Sequence, residues 1–271
     1  MLHIATVHYG SPRWIEIQRR HLREHISVPY MTWASLQEID PSYSSYFDRI
    51  IDQAGSHSDK LNHLAIEIMG EASEDDVLMF LDGDAFPIAD PMPLIADGLA
   101  EAPLVAVRRV ENSGDPQPHP CFCVTTVNAW RNLCGDWSQG YNWVNTAGER
   151  VSDVGGNLLR KLELTNTPWV EVLRSNRKNL DPIFFGIYGD TVYHHGAGFR
   201  GFSQLTRLHV ALAPKPRSLP PVPVLRDVLR LIDRQRQHVW YRNTKERLAQ
   251  LSETVIAEIQ RGDDEWLADF I

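Results

Sequence analysis

Only three of the 271 residues are cysteine, Cys121, Cys123 and Cys134. An odd count in a chain this long excludes a disulfide scaffold and points to a reducing compartment. Cys-x-Cys with no second ligand pair also argues against a cysteine zinc site. Long apolar runs are missing as well: none approaches the roughly 20 residues that a membrane span requires. The opening stretch, MLHIATVHYGSPR, has no basic region leading into an apolar one, so no secretory signal is expected. Positive charge is the minority, with 27 Lys and Arg against 35 Asp and Glu and a net charge of −8. That balance argues against a general nucleic-acid partner, whose footprint would be basic. No internal repeat and no extended low-complexity tract interrupts the chain. The expected location is cytoplasmic.

What the chain does have is an ordinary globular composition, 43% hydrophobic and 23% charged, enough to build a substantial core. Short apolar runs alternate with amphipathic stretches in the first half, the signature of an α/β fold. Residues 2–7 read as a strand and residues 12–26 as a helix, with Ser11 as cap and Pro12 in its first turn. Residues 30–35 read as a second strand. Residues 58–72 carry Leu61, Leu64, Ala65 and Ile68 at helical spacing, with Ser58 as cap. Residues 93–100 suit a short helix and 103–110 another strand. CFCVTTVNAWRNL reads as strand then helix, and PIFFGIYGDTVYHHG as strands. Prolines crowd residues 213–224, a linker or stiff segment. We expect a core domain over 1–213 and a linker with a helical extension over 214–271.

The run VLMFL (77–81) is apolar throughout, as in a parallel strand covered on both faces. It leads directly into Asp82, Gly83 and Asp84. Two carboxylates this close repel unless water, a proton or a cation lies between them. Side chains two apart on an extended backbone point the same way, so both can face one cation. Oxygen ligands suit Mg²⁺ or Mn²⁺, which share their coordination with phosphates. The plain alternative is a strand-to-loop turn, for which Asp-Gly is a common dipeptide.

This stretch resembles the Asp-x-Asp signature of nucleotide-sugar glycosyltransferases with the GT-A fold, and the resemblance extends over about residues 1–205. It implies a Rossmann-like, mixed and mainly parallel sheet flanked by helices, with the helical extension added. It also implies a metal held by Asp82 and Asp84, with Asp82 also placed to touch the donor's ribose. The first strand and its loop, Thr6, Val7, His8 and Tyr9, would contact the nucleotide, joined by Lys60 from the helix ahead of the signature. A later strand ending in His-Gly would complete the metal site. VYHHGAGFR offers His194 and His195; strand alternation lets only one reach the metal, and the family spacing favours His195. Arg200 would pair with diphosphate oxygens. A carboxylate on the acceptor side, Asp153, would act as base or stabiliser; its plain alternative is a helix cap, and Asp181 and Asp190 are weaker candidates. Trp137 and Trp143 could stack on a sugar.

The implied reaction transfers a sugar from a UDP- or GDP-linked donor to a glycan, lipid-linked or small-molecule acceptor, and the His-Gly ending leans towards retention. FLDGDAF also resembles the nucleophile strand of haloacid-dehalogenase-type phosphatases, but their second acidic motif has no counterpart in YGDTVYH. A nucleotide-binding module without turnover is the non-enzymatic alternative. In the extension Leu225, Val228, Leu229 and Ile232 fall on one helical stripe among arginines. That stripe suits packing on the core or on a second subunit, or contact with an anionic membrane face.

Overall fold

The computed structural model describes residues 1–181, 183–196, 209, 213, 223–262 and 265–271, with backbone alone at 223–226. Arg200 and most of the proline-rich segment lie outside the described residues. Two compact units divide the chain, Met1–Phe199 with Phe270–Ile271, and Arg200–Asp269.

The first unit is built on a seven-stranded sheet. Its strands are β1 (Leu2–Tyr9), β2 (Tyr30–Gln37), β3 (Arg49–Ile50), β4 (Val77–Phe80), β6 (Leu104–Arg108), β7 (Pro118–Thr126) and β10 (Val170–Val172). They lie in the order β10-β6-β7-β4-β1-β2-β3. Every pairing is parallel except those of β7, which runs antiparallel to both β4 and β6. The expected class, a mixed and mainly parallel sheet flanked by helices, is the one the chain adopts. A small antiparallel sheet joins β11 (Gly186–Tyr188), β12 (Val192–His194) and β5 (Ala85–Pro87), and β8 (Trp143–Val144) pairs with β9 (Arg150–Val151).

Helices cover both faces of the large sheet, which is why β1 is buried at seven of its eight positions. Alternation along β1 sends Ala5 and Val7 to a core with Leu61, Leu64 and Ile68 of α2 (His57–Glu71). Leu2 and Ile4 go instead to a second core with Leu22 of α1 (Arg13–His25) and Ile95 of α3 (Met92–Glu101). Phe80, Trp130 and Trp137 stack together on the α2 side. Burying each such ring contributes on the order of 2–3 kcal/mol.

Local chemistry moves two of the expected helix starts. α1 begins at Arg13 after Pro12, and no side chain caps it. α2 starts one residue early because Ser56, not Ser58, is its N-cap. Ser56 and Asp59 form a reciprocal capping box there. Two further helices, α4 (Val127–Asn132) and α5 (Gly156–Thr165), complete the first unit. The second unit contains a long helix, Pro223–Arg261, and a short 3₁₀ turn, Glu265–Asp269. Among the described residues no helix is long and apolar enough to cross a membrane.

Candidate active site

β4 is held between β1 and β7, and the chain leaves its carboxyl end through a tight turn closed by the Ala85 N–H on the Asp82 carbonyl at 2.8 Å. After that turn β5 pairs antiparallel with β12, which sets His194 opposite Ala85. The His195 N–H donates to the Asp84 carbonyl at 3.0 Å. Two segments remote in sequence are thus joined by backbone hydrogen bonds at the end of the central strand.

Their side chains converge. Asp82, Asp84 and His194, all buried, each offer a ligand atom within 4.8 Å of the others. His194 Nε2 lies 3.4 Å from Asp84 and 4.0 Å from Asp82. His194 Nδ1 is buried without a hydrogen-bond partner. Two carboxylates and an imidazole whose Nε2 faces them form a donor set that a divalent cation fits. The family spacing favours His195 with His194 as the alternative; the structure turns His194 to the carboxylates, since neighbours on a strand face opposite ways. The His195 ring packs against Trp14 and Phe185, and its Nδ1 lies 2.9 Å from the Tyr193 hydroxyl. Burial holds its pKa at about 3.

Two residues that escaped the sequence reading support the carboxylates. His57, the first residue of α2, places Nε2 2.9 Å from Asp82 Oδ1. Burial works against a charge on this ring, but the Asp82 carboxylate outweighs it and raises the pKa above the ordinary value. Gln18 of α1 donates to the carbonyls of Asp82 and Ala85 at 2.9 and 2.8 Å. Its Oε1 lies 3.2 Å from His8 Nε2. Burial lowers the His8 pKa to about 4, against the pull of Gln18, Asp84 and Asp82.

The other expected site residues are distributed as follows. Thr6 and His8 share one face of β1, with Thr6 Oγ1 3.3 Å from His8 Nε2. Val7 faces the opposite way, into the α2 core. Tyr9, partly exposed at the strand's end, donates to Glu38 at 3.0 Å. Lys60 is buried and its ammonium donates to Gln37, at the end of β2. Asp153 stands outside the three-residue group, exposed ahead of α5, and accepts from the Val154 N–H. It does not cap α5, whose N-cap is Gly155 in a left-handed conformation at φ 85°. Asp153 nonetheless influences a buried carboxyl, Asp115. Burial, with Asp153 adding to it and Asn112 and Arg109 opposing, raises the Asp115 pKa to about 6. Asp181 shapes its own loop by accepting from Ile183 and Phe184 N–H groups. Asp190 lies in the turn before β12. Trp137 is fully buried and serves the core rather than a sugar.

No protein-family model matches the chain, and no curated protein matches it. Among solved structures it is similar to TarS of S. aureus, at 9% identity and a TM-score of 0.37 over 51% of this chain and 30% of that one. It is similar also to the glycosyltransferase GlyE of Streptococcus pneumoniae TIGR4, at 16% identity and a TM-score of 0.40 over 63% and 44%. A third is the galactosyltransferase LgtC, solved with donor and acceptor sugar analogues, at 11% identity and a TM-score of 0.35 over 48% and 59%. The matches span between 30% and 59% of these proteins' own lengths. With identities and TM-scores this low, the chemistry of the site is read from its own side chains.

Proposed function

We propose that this chain is a metal-dependent glycosyltransferase that moves a sugar from a UDP- or GDP-linked donor to a glycan, lipid-linked or small-molecule acceptor, with retention of configuration. The observation that carries this reading is the convergence of Asp82, Asp84 and His194 at the carboxyl end of β4, a central strand parallel to β1 and antiparallel to β7. That end of an open α/β sheet is where ligands bind.

Asp82, Asp84 and His194 would hold the cation, with Mn²⁺ the better match to a set that includes an imidazole and Mg²⁺ the other candidate. A cation held there by Asp82, Asp84 and His194 would supply neutralisation of the charge that grows on a diphosphate leaving group. His57 and Gln18 fix the Asp82 carboxylate and its backbone, so the ligands are oriented before substrate arrives. Thr6, His8 and Tyr9 of β1, with Lys60 of α2 reaching the end of β2, would line the nucleotide. Arg200 would pair with the diphosphate through its planar fork. Asp153 would serve the acceptor side. The reaction asks these residues to position and stabilise, and the reading places it in the cytoplasm.

The test is calorimetric titration of UDP and of GDP, each with Mn²⁺ and with a chelator, repeated on Asp84→Ala. Binding of one nucleotide that needs both the metal and Asp84 is the expected result. Binding that ignores both would remove the cation from the reading, and no binding at all would remove the donor.

A further inference from the structure

Apart from the group at β4, one other cluster among the described residues brings metal-ligating side chains together. His21, Glu24 and His25 each offer a ligand atom within 4.8 Å of the others. They stand at i, i+3 and i+4 on α1 and so share one face of that helix. Two histidines four apart on a helix present their nitrogens side by side, the spacing with which helices hold zinc. The His21 and His25 rings are stacked with centroids 5.6 Å apart.

His21 is 3% exposed, and its Nδ1 has no hydrogen-bond partner. A buried nitrogen without a partner carries a desolvation cost that a ligand would relieve. The same ring is fixed from its other side. Nε2 lies 3.4 Å from the Arg20 guanidinium. Glu24 is exposed and His25 half-buried, which leaves the cluster open to an ion from solvent. The three residues also occupy the end of α1, where the helix dipole favours positive charge. Arg20 and Arg23 beside the cluster oppose a cation, and the Glu24 carboxylate offsets them.

We propose that His21, Glu24 and His25 form a second metal site, for Zn²⁺, on the last turns of α1. Two imidazoles and one carboxylate leave a fourth tetrahedral position for water. This inference does not rest on the sugar-transfer reading, because none of its residues belongs to the Asp82 centre.

Zinc titration decides it, followed by calorimetry and by competition with a chromogenic chelator. The Asp84→Ala protein is the background, so that the centre at β4 is disabled. Asp84→Ala is expected to bind one equivalent of Zn²⁺, and adding His25→Ala to weaken that binding at least tenfold. His25 is partly exposed, and an unchanged circular dichroism spectrum will confirm folding. Glu24→Gln, at an exposed position, gives the same comparison should the His25 variant unfold, with a several-fold loss expected. No stoichiometric zinc on Asp84→Ala, or equal affinity with and without the His25 and Glu24 changes, would overturn the proposal.

Discussion

His57 Nε2 stands 2.9 Å from Asp82 Oδ1, tying the first turn of α2 to the first carboxylate beyond β4. The contact fixes the orientation of one member of a buried acidic pair, and that carboxylate in turn raises the pKa of the ring. Removing such an outer partner typically costs 10- to 100-fold in metal affinity. His57→Ala is therefore expected to weaken Mn²⁺ binding by about that factor, read by calorimetry on folded protein. An unchanged affinity would detach His57 from the site.

His194 and His195 make opposite predictions although they are adjacent. His194→Ala should lower Mn²⁺ affinity at least tenfold with little effect on stability. His195→Ala removes a ring packed between Trp14 and Phe185. It should lower stability by about 2–4 kcal/mol through the cavity it leaves, while changing metal affinity much less. Calorimetric titration and denaturant unfolding of both variants separate the two roles.

Gln18→Ala takes a buried donor from the carbonyls of Asp82 and Ala85, of which the Asp82 carbonyl keeps the Ala85 N–H. Removing a buried hydrogen-bond partner costs about 1–3 kcal/mol. A loss of about that size in chemical denaturation is the expected outcome.

Asp136 gives a pH signature. Burial pushes its carboxyl up, but hydrogen bonds from Ser138, Asn157 and Asn62 win and hold the pKa at about 2, below the ordinary 3.8. The unfolded chain therefore binds the proton more readily. The stabilisation is complete above the unfolded pKa and is lost as pH falls through about 2. Asp136→Asn should cost about 1–2 kcal/mol at neutral pH, a figure discounted for partial exposure. The difference from the parent protein should close towards pH 2. Urea unfolding at several pH values reads it.

Gly196 follows the two histidines with φ at 71°, and a Cβ there would meet the Ile183 carbonyl at 2.8 Å. Gly196→Ala should destabilise the protein by about 1–3 kcal/mol and weaken metal binding at the same time, since β12 carries His194. A loss of stability with full metal affinity would show that the strand end tolerates the shift.

The large elements were legible because their signals are local. The apolar run at 77–81 announces a strand covered on both sides, and the Leu61, Leu64 and Ile68 spacing announces the face of α2. The Asp82–Asp84 pair was legible for the same reason. What escaped depends on the partner rather than on the segment. β3, β5 and β10 have two or three residues each, too short for any periodicity. The reversed direction of β7 is set by its pairing between β4 and β6, which lies outside the segment itself. His57 and Gln18 look like ordinary polar residues on helices, because Asp82 lies 25 and 64 positions away from them. The choice between His194 and His195 turned on which face of β12 meets Ala85, a pairing set only when the chain folds back. Ser56 won the cap from Ser58 because Asp59 answers it three residues on.

The backbone pairing of β12 with β5 has a consequence for how the molecule matures. The carboxylates are synthesised about a hundred residues before the imidazole that joins them, and a chain halted short of β12 contains the strand but not the complete ligand set. Contacts this far apart in sequence form after the local ones, since a long loop must close first. On the proposed reading, cation affinity would therefore report completion of β12. A nascent or truncated chain can show native-like secondary structure while lacking the complete donor set.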